Sequence, residues 1–373
     1  MEARAYAAIA PAGFLWDRRP TWWAHHALAS VPASRLGGKQ GDNQGAPMII
    51  TRTPLRISIG GGGTDLPSYY GRNGGFLISA AINRYVYIAI NDTFTDDYVI
   101  KYSALERVDR VDDIVHPLVR EALRLHPIGN AKEIVSIADI PAGTGLGSSG
   151  AFTVGLLRAL YAYRREHVTA GALAEEACHI EIDILNEPVG KQDQYIAAYG
   201  GISCFEIDVD GRVRVSPLAI SNDTLRDLEE NLLLFFTGYS HKAGAVLSEQ
   251  DRRSSAGDET MLARLAETEA IGRRIGSALE VGDTTEFGAL MHEHWLAKRE
   301  RSTQMSNAEI DRWYQLGIDN GAVGGKLVGA GAGGFLIFYA KDAGRLRDAM
   351  SREGLAEVRF FFDHDGSTVT TRG

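Results

Sequence analysis

An α+β fold of two layered domains is what this sequence predicts, and three features predict it. Its 373 residues are too many for one ordinary core. From Met48 onward, short apolar strand patterns are mixed with longer helical ones. No segment repeats another.

Taken in order, residues 1–47 lack sustained periodicity and end in a Gly/Gln/Asn/Pro run, so they read as a mostly disordered leader. Trp16-Asp17-Arg18-Arg19-Pro20 interrupts their apolar stretch, which argues against a secretory signal. "MIITRTPLRISI" alternates as a strand before "GGGGTDL". "GGFLISAAINRYVYIAIND" reads as two β-rich runs and "YVIKYS" as a short strand. "HPLVREALRLH" is an amphipathic helix with Pro117 near its first turn, where a missing donor costs little. "EIVSIADI" is a strand, and a glycine cluster follows it. "SSGAFTVGLLRALYAYRRE" is then a helix capped near Ser148 or Ser149. "TAGALAEEACHIEIDIL" is a second helix, and "ISCFEIDVDGRVRVSPL" a hairpin turning at Asp210-Gly211. "NLLLFFTGY" is a buried strand that opens the second domain. Helices from about Lys242 to Leu316, the segment "GKLVGAGAGGFLIFY", a helix over "AGRLRDAMSREG" and a closing strand "EVRFFFD" complete the chain. The expected division is a leader over 1–47, a first domain over 48–220 and a second over 221–373.

Composition narrows the function. The chain is 45% hydrophobic and 23% charged, with no apolar run near the ~18 residues a membrane span needs, so no membrane role is expected. A net charge of −9 argues against nucleic acid as a partner, and an anionic substrate would need locally gathered cations. Cys178 and Cys204 give neither a disulfide framework nor metal-ligand spacing, so a cytoplasmic location is expected.

The segment "IPAGTGLGSSGAF" carries the chemistry. Four glycines and two serines lie between Gly143 and Gly150, although glycine loses the most backbone entropy on folding. A Walker A loop is excluded because the cluster has no Lys; Gly324-Gly325-Lys326-Leu327 lacks the first Gly and the hydroxyl. Gly145, Gly147 and Gly150 match G-x-G-x-x-G, as do Gly329, Gly331 and Gly334. No second parallel strand with its acidic residue follows the first match, and the second leads into a strand. Two possibilities remain: a tight structural turn, or a phosphate cradle in which a helix N-terminus aims its unpaired N–H groups at an anion.

Three segments in order decide between these. "PAGTGLGSSGA" resembles the nucleotide motif of the GHMP kinases, "RTPLRISIGGGGTDL" their first motif, and "GKLVGAGAGGFLIF" their third. Gly150 departs from the Ala that usually follows the paired serines. Within the family, "GGGGTDLPSYY", "EIDILNEPVGKQDQYIAAYGG", "HEHW" and "SNAEID" look like the D-glycero-D-manno-heptose 7-phosphate kinases. Galactokinases carry Gly-Glu-His-Thr-Asp where this chain has Gly61-Gly62-Gly63-Thr64-Asp65.

The resemblance implies a GHMP kinase fold, with a ribosomal protein S5 domain 2-like first domain and a ferredoxin-like second. It implies ATP and Mg²⁺, a small-molecule sugar phosphate, and transfer to its anomeric C1 hydroxyl in nucleotide-activated heptose synthesis. Pro141, Gly143, Gly145, Leu146, Gly147, Ser148 and Ser149 would hold ATP. Asp193 would be the base or aligner of the hydroxyl, with Arg56 beside it and the γ-phosphate. Asp65 would take two ring hydroxyls, with Gly62, Gly63 and Thr64 letting the sugar approach, and Lys191 and Gly331 also on the substrate side. Ser149 and Glu181 would ligate Mg²⁺. Thr237, Gly238, Tyr239 and Ser240 are further candidates for the sugar side. Arg72, Lys101, Lys191 and Lys242 are unranked candidates for a distal phosphate, and His292 and His294 lack a third ligand. The alternatives are a kinase of another sugar or of a secondary-metabolite heptose, or a sensor without catalysis. Arg56, Asp193 and the intact serines argue against a sensor.

Overall fold

The computed structural model describes residues 48–238, 244–331 and 333–372; the expected leader, Tyr239, Ser240 and Lys242 lie outside them. β1 (Ile49–Gly60) alternates in burial as far as Arg52 and is then buried on both faces, so its later part is sandwiched. It pairs antiparallel with β2 (Gly75–Asp92), which is one strand of 18 residues rather than two runs. The apparent break has a physical source. The far edge of β2 changes partner midway, bonding β6 (Ile202–Ile207) over Gly75–Ala80 and β5 (Lys132–Ala138) over Val86–Asp92.

β3 (Tyr98–Lys101) runs parallel to β5, and β4 (Leu105–Val108) and β7 (Val213–Pro217) extend the two arms. The sheet is completed by β12 (Thr368–Arg372), which pairs with the free edge of β1. A strand from the end of the expected second domain thus joins the sheet of the first. The expected closing strand over "EVRFFFD" is also shorter: only Ala356–Glu357 (β11) is strand, with an isolated bridge from Phe362 to Ile82.

The second sheet has the order β11–β8–β10–β9, with β8 at Leu232–Phe236, β9 at Ala322–Leu327 and β10 at Phe335–Ala340. All its pairings are antiparallel, which is the ferredoxin-like arrangement. The α+β expectation therefore holds.

Helices join the layers. α3 (Ser148–Tyr163) lies against β1 and β2 from one side, and α8 (Glu259–Glu280) meets the same strands from the second half of the chain. Ile271, Ile275 and Leu279 of α8 enter the core built on Leu55, Ile57 and Ile78, so one apolar cluster spans both halves. A second cluster surrounds Trp295, Tyr314 and Phe338. The helix expected over "TAGALAEEACHIEIDIL" begins as α4 (Ala170–Cys178) and widens into a π-helical turn over His179–Ile184. Such turns are frequent at functional sites, and this one carries Glu181. Among the described residues no helix is long and apolar enough to cross a membrane.

Candidate active site between two glycine loops

The glycine cluster links β5 to α3. Gly143, Gly145 and Gly147 have φ of 79°, 84° and 76°, left-handed values that side chains disfavour. The N-cap is Gly147, one residue before the serines, and no side chain caps the helix. The first-turn N–H groups of α3 thus lack a capping side chain, as an anion site at a helix start requires. The adjoining cavity, about 400 Å³, is lined by Gly143, Gly145, Ser148 and Ser149 and by the stacked rings of His116 and Phe152, 4.8 Å apart.

The third glycine segment packs directly on this loop. A Cβ at Gly329 would lie 2.6 Å from the Cα of Gly145, and one at Gly334 would lie 2.1 Å from the carbonyl of Thr144. Gly329 and Ala330 line the cavity, whereas Gly331 turns onto Met305. Thr237 serves this segment too, donating to the carbonyl of Gly334 at 2.9 Å.

Arg56 and Asp193 meet beside the loop. Arg56, on β1, is only 6% exposed; its Nε donates to Asp193 Oδ1 at 2.7 Å and its Nη1 to the carbonyl of Gly145 at 2.5 Å. Asp193 occupies the first turn of α5 (Gln192–Tyr199) rather than a loop. Its other carboxylate oxygen has no partner among the described residues.

Asp65 lines a second cavity, which meets the first at Arg56, Asp193, Gly329 and Ala330. Its oxygens accept from the amides of Gly63 and Gln192, each at 3.1 Å. Burial pushes its carboxyl above the ordinary value; the amides oppose this and the charge of Asp193 adds to it. Gly62 and Gly63 line the same cavity, and Thr64 supports the turn by donating to the carbonyls of Gly61 and Phe76.

Lys191 is not part of the site. Two residues from Asp193, it leaves the helix start in another direction, holding Glu175 at 2.9 Å and the carbonyl of Gly211 at 2.7 Å. Of the other distal-phosphate candidates among the described residues, Arg72 bonds the Ser255 carbonyl and Lys101 pairs with Glu133. Glu176 is held by His126 and Tyr161, and Asp183 by His179.

Glu181 is 2% exposed, and burial pushes its carboxyl up to about 7. Gln194 donates to it at 3.0 Å, and the hydroxyls of Thr153 and Ser149 also oppose the shift. A buried carboxylate and a hydroxyl without a nearby cation form a hard oxygen set that suits Mg²⁺. No group of three or more His, Cys, Asp or Glu gathers to hold a metal among the described residues. An ion here would therefore complete its shell with phosphate oxygens and water.

Four residues of the Asp65 cavity were not foreseen as binding groups. His294 and Lys298 lie on α9 (Thr284–Arg299), Arg301 follows its end and Lys326 lies on β9; all are 7% exposed or less. The one legible signal was the i, i+4, i+7 spacing of His294, Lys298 and Arg301. Burial pushes Lys298 down to about 7 and Arg301 to about 10, with Arg301 and Arg56 adding to the push on Lys298. Lys326 and His294 are held well below their usual values by burial and by the neighbouring cations.

Between pH 7 and 9 unfolded Lys298 binds a proton that folded Lys298 does not, so stability rises with pH in this window. The gain is on the order of 2 kcal/mol. Urea unfolding of the ligand-free protein at pH 7 and 9 checks it, and Lys298→Gln should flatten the slope.

The model for the GHMP kinases N terminal domain matches residues 113–201, and that for GHMP kinases C terminal matches residues 277–356. The chain is 31% identical over 307 residues to the D-glycero-alpha-D-manno-heptose 7-phosphate kinase of Campylobacter jejuni, covering 78% of this chain and 89% of that protein. It resembles the solved D-glycero-D-manno-heptose 1-phosphate kinase of Bacteroides thetaiotaomicron, with a TM-score of 0.72 and 23% identity over 87% of this chain and 99% of that one. A putative sugar kinase of C. jejuni superposes with a TM-score of 0.68 at 26% identity, covering 87% and 98%.

Proposed function

The chain belongs to the GHMP kinases, and from that premise we propose that it phosphorylates the anomeric C1 hydroxyl of D-glycero-D-manno-heptose 7-phosphate, using ATP and Mg²⁺. As a member of the family it is a phosphotransferase with a sugar hydroxyl as acceptor. The product would be the 1,7-bisphosphate, on the way to a nucleotide-activated heptose. The observation that carries this is the Arg56–Asp193 pair standing between the nucleotide loop and the Asp65 cavity.

Phosphoryl transfer asks the protein for alignment and charge neutralisation more than for covalent chemistry. Amides at the start of α3, with the loop from Pro141 to Gly147, receive the phosphates of ATP. Asp65 accepts from ring hydroxyls and sets the sugar's orientation. The free oxygen of Asp193 accepts the hydrogen of the C1 hydroxyl, and Arg56 fixes the carboxylate and offsets charge at the transferred group. Ser149 and Glu181 would hold Mg²⁺, which neutralises phosphate charge when bound.

A phosphotransfer assay over a panel of acceptors tests the assignment. Heptose 7-phosphate should be used at least ~100-fold more efficiently than unphosphorylated heptose, galactose or mannose, a difference of about 2.7 kcal/mol. Preference for an unphosphorylated hexose would sink the substrate assignment, and nucleotide binding without turnover on any sugar would point to a sensor.

A further inference from the structure

Lys298, Arg301 and Lys326 are three basic side chains in one cavity wall, and none has a carboxylate within ion-pair distance among the described residues. Lys298 Nζ donates to the carbonyls of Leu327, at 3.0 Å, and Gly329, at 2.5 Å. Lys326 Nζ donates to the carbonyl of Ile59 at 2.7 Å and lies 3.2 Å from His294 Nδ1. Arg301 donates to the carbonyl of Gly62 at 3.1 Å and to Thr268. Two buried nitrogens in this wall, Arg301 Nε and His294 Nε2, have no hydrogen-bond partner among the described residues.

Gathering like charges out of water without a counter-ion is unfavourable twice over, through desolvation and through mutual repulsion. Away from this site buried charges are paired, as Asp97 is with Arg107 and Glu121 with Arg120. Asp65 and Glu267 act on Arg301 only from beyond ion-pair distance, so the cluster lacks a direct counter-ion and is a place kept for an anion.

The nucleotide is not that anion. Lys298, Arg301, Lys326 and His294 line the cavity of Asp65 and are absent from the wall of the nucleotide cavity. Arg301 also reaches the carbonyl of Gly62, on the turn that carries Asp65. We propose that Lys298, Arg301 and Lys326 form a subsite for the phosphate that the acceptor sugar already carries, and so select phosphorylated over neutral sugars. This rests on the function proposed above insofar as the acceptor is a sugar phosphate.

Arg301→Gln and Lys298→Gln test it, since each keeps an amide donor while deleting a charge. Inorganic phosphate is titrated calorimetrically into protein saturated with Mg²⁺ and a non-hydrolysable ATP analogue, so that the nucleotide loop is already filled. The unaltered protein should bind one phosphate, and each variant should bind it about tenfold or more weakly. At about pH 6, where both side chains are protonated, both variants should melt no lower than the unaltered protein without phosphate, because each removes a repelled charge. No phosphate binding to the unaltered protein, or equal affinity in both variants, overturns the subsite; should one variant fail to fold, the other decides.

Acceptor kinetics separate this from the heptose assignment. If heptose 7-phosphate is used and its KM is unchanged in the variants, the subsite falls and the assignment stands. If another sugar phosphate is the acceptor and its KM rises about tenfold or more, the assignment falls and the subsite stands. If only unphosphorylated sugars are used, both fall.

Discussion

Asp193→Asn is expected to lower turnover by about 10²–10⁴-fold while affinity for an ATP analogue stays within about threefold. The asymmetry comes from position. Asp193 contributes one oxygen to Arg56 Nε at 2.7 Å, and its other oxygen has no partner among the described residues. An amide could still accept from Arg56 through its oxygen, so the arginine and the loop carbonyl it also holds need not move. What Asn cannot do is carry the negative charge that draws the acceptor's proton. Turnover and analogue binding measured on the same preparation check both halves. Near-normal turnover would remove Asp193 from the mechanism, and loss of analogue binding would recast it as part of the nucleotide site.

Gly150→Ala is expected to lower kcat by about 100-fold, although Ala is the better helix former by about 1 kcal/mol. The two arguments have opposite signs, and distance decides between them. A Cβ on Gly150 would lie 2.7 Å from the Cβ of Asp193, 2.9 Å from its carbonyl carbon and 2.9 Å from the nitrogen of Gln194. Two of these neighbours are backbone, so α5 must shift away from α3. Overpacking of this kind costs roughly 1–3 kcal/mol, more than the propensity gain. The shift would carry Asp193 with it, and misplacement by about an ångström is worth about 100-fold. The departure from the Ala expected after the paired serines thus has a structural counterpart here: α5 occupies the space that its methyl would need. A melting temperature at or above that of the unaltered protein, with unchanged kcat, would show that the helices separate without consequence.

Much of this was legible in the sequence because it is local. Period-2 and helical patterns marked β1, α3 and the hairpin at Gly211, and the density of glycine from Gly143 to Gly150 marked a tight turn or a phosphate cradle. Arg56 and Asp193, 137 residues apart, were brought together only through resemblance to a family. What local pattern does not encode is partner choice. The continuity of β2 depends on its unbroken pairing with β1, and β12 finds its edge across 300 residues of chain; neither pairing is written in the strand's own residues. Lys191 was misplaced for a simpler reason, since proximity in sequence is not proximity around a helix start. The basic wall was overlooked because its members come from two elements, and because lysine and arginine are ordinarily solvated.

The return of Thr368–Arg372 to the edge of β1 bears on the order in which this protein can be assembled during translation. The outer neighbour of Ile49 is synthesised more than three hundred residues after it. Until then the nascent polypeptide carries an open β-edge, the kind of surface that recruits foreign strands. Polypeptides cut ahead of Thr368 would retain that adhesive border permanently, even with every phosphate-handling residue in place.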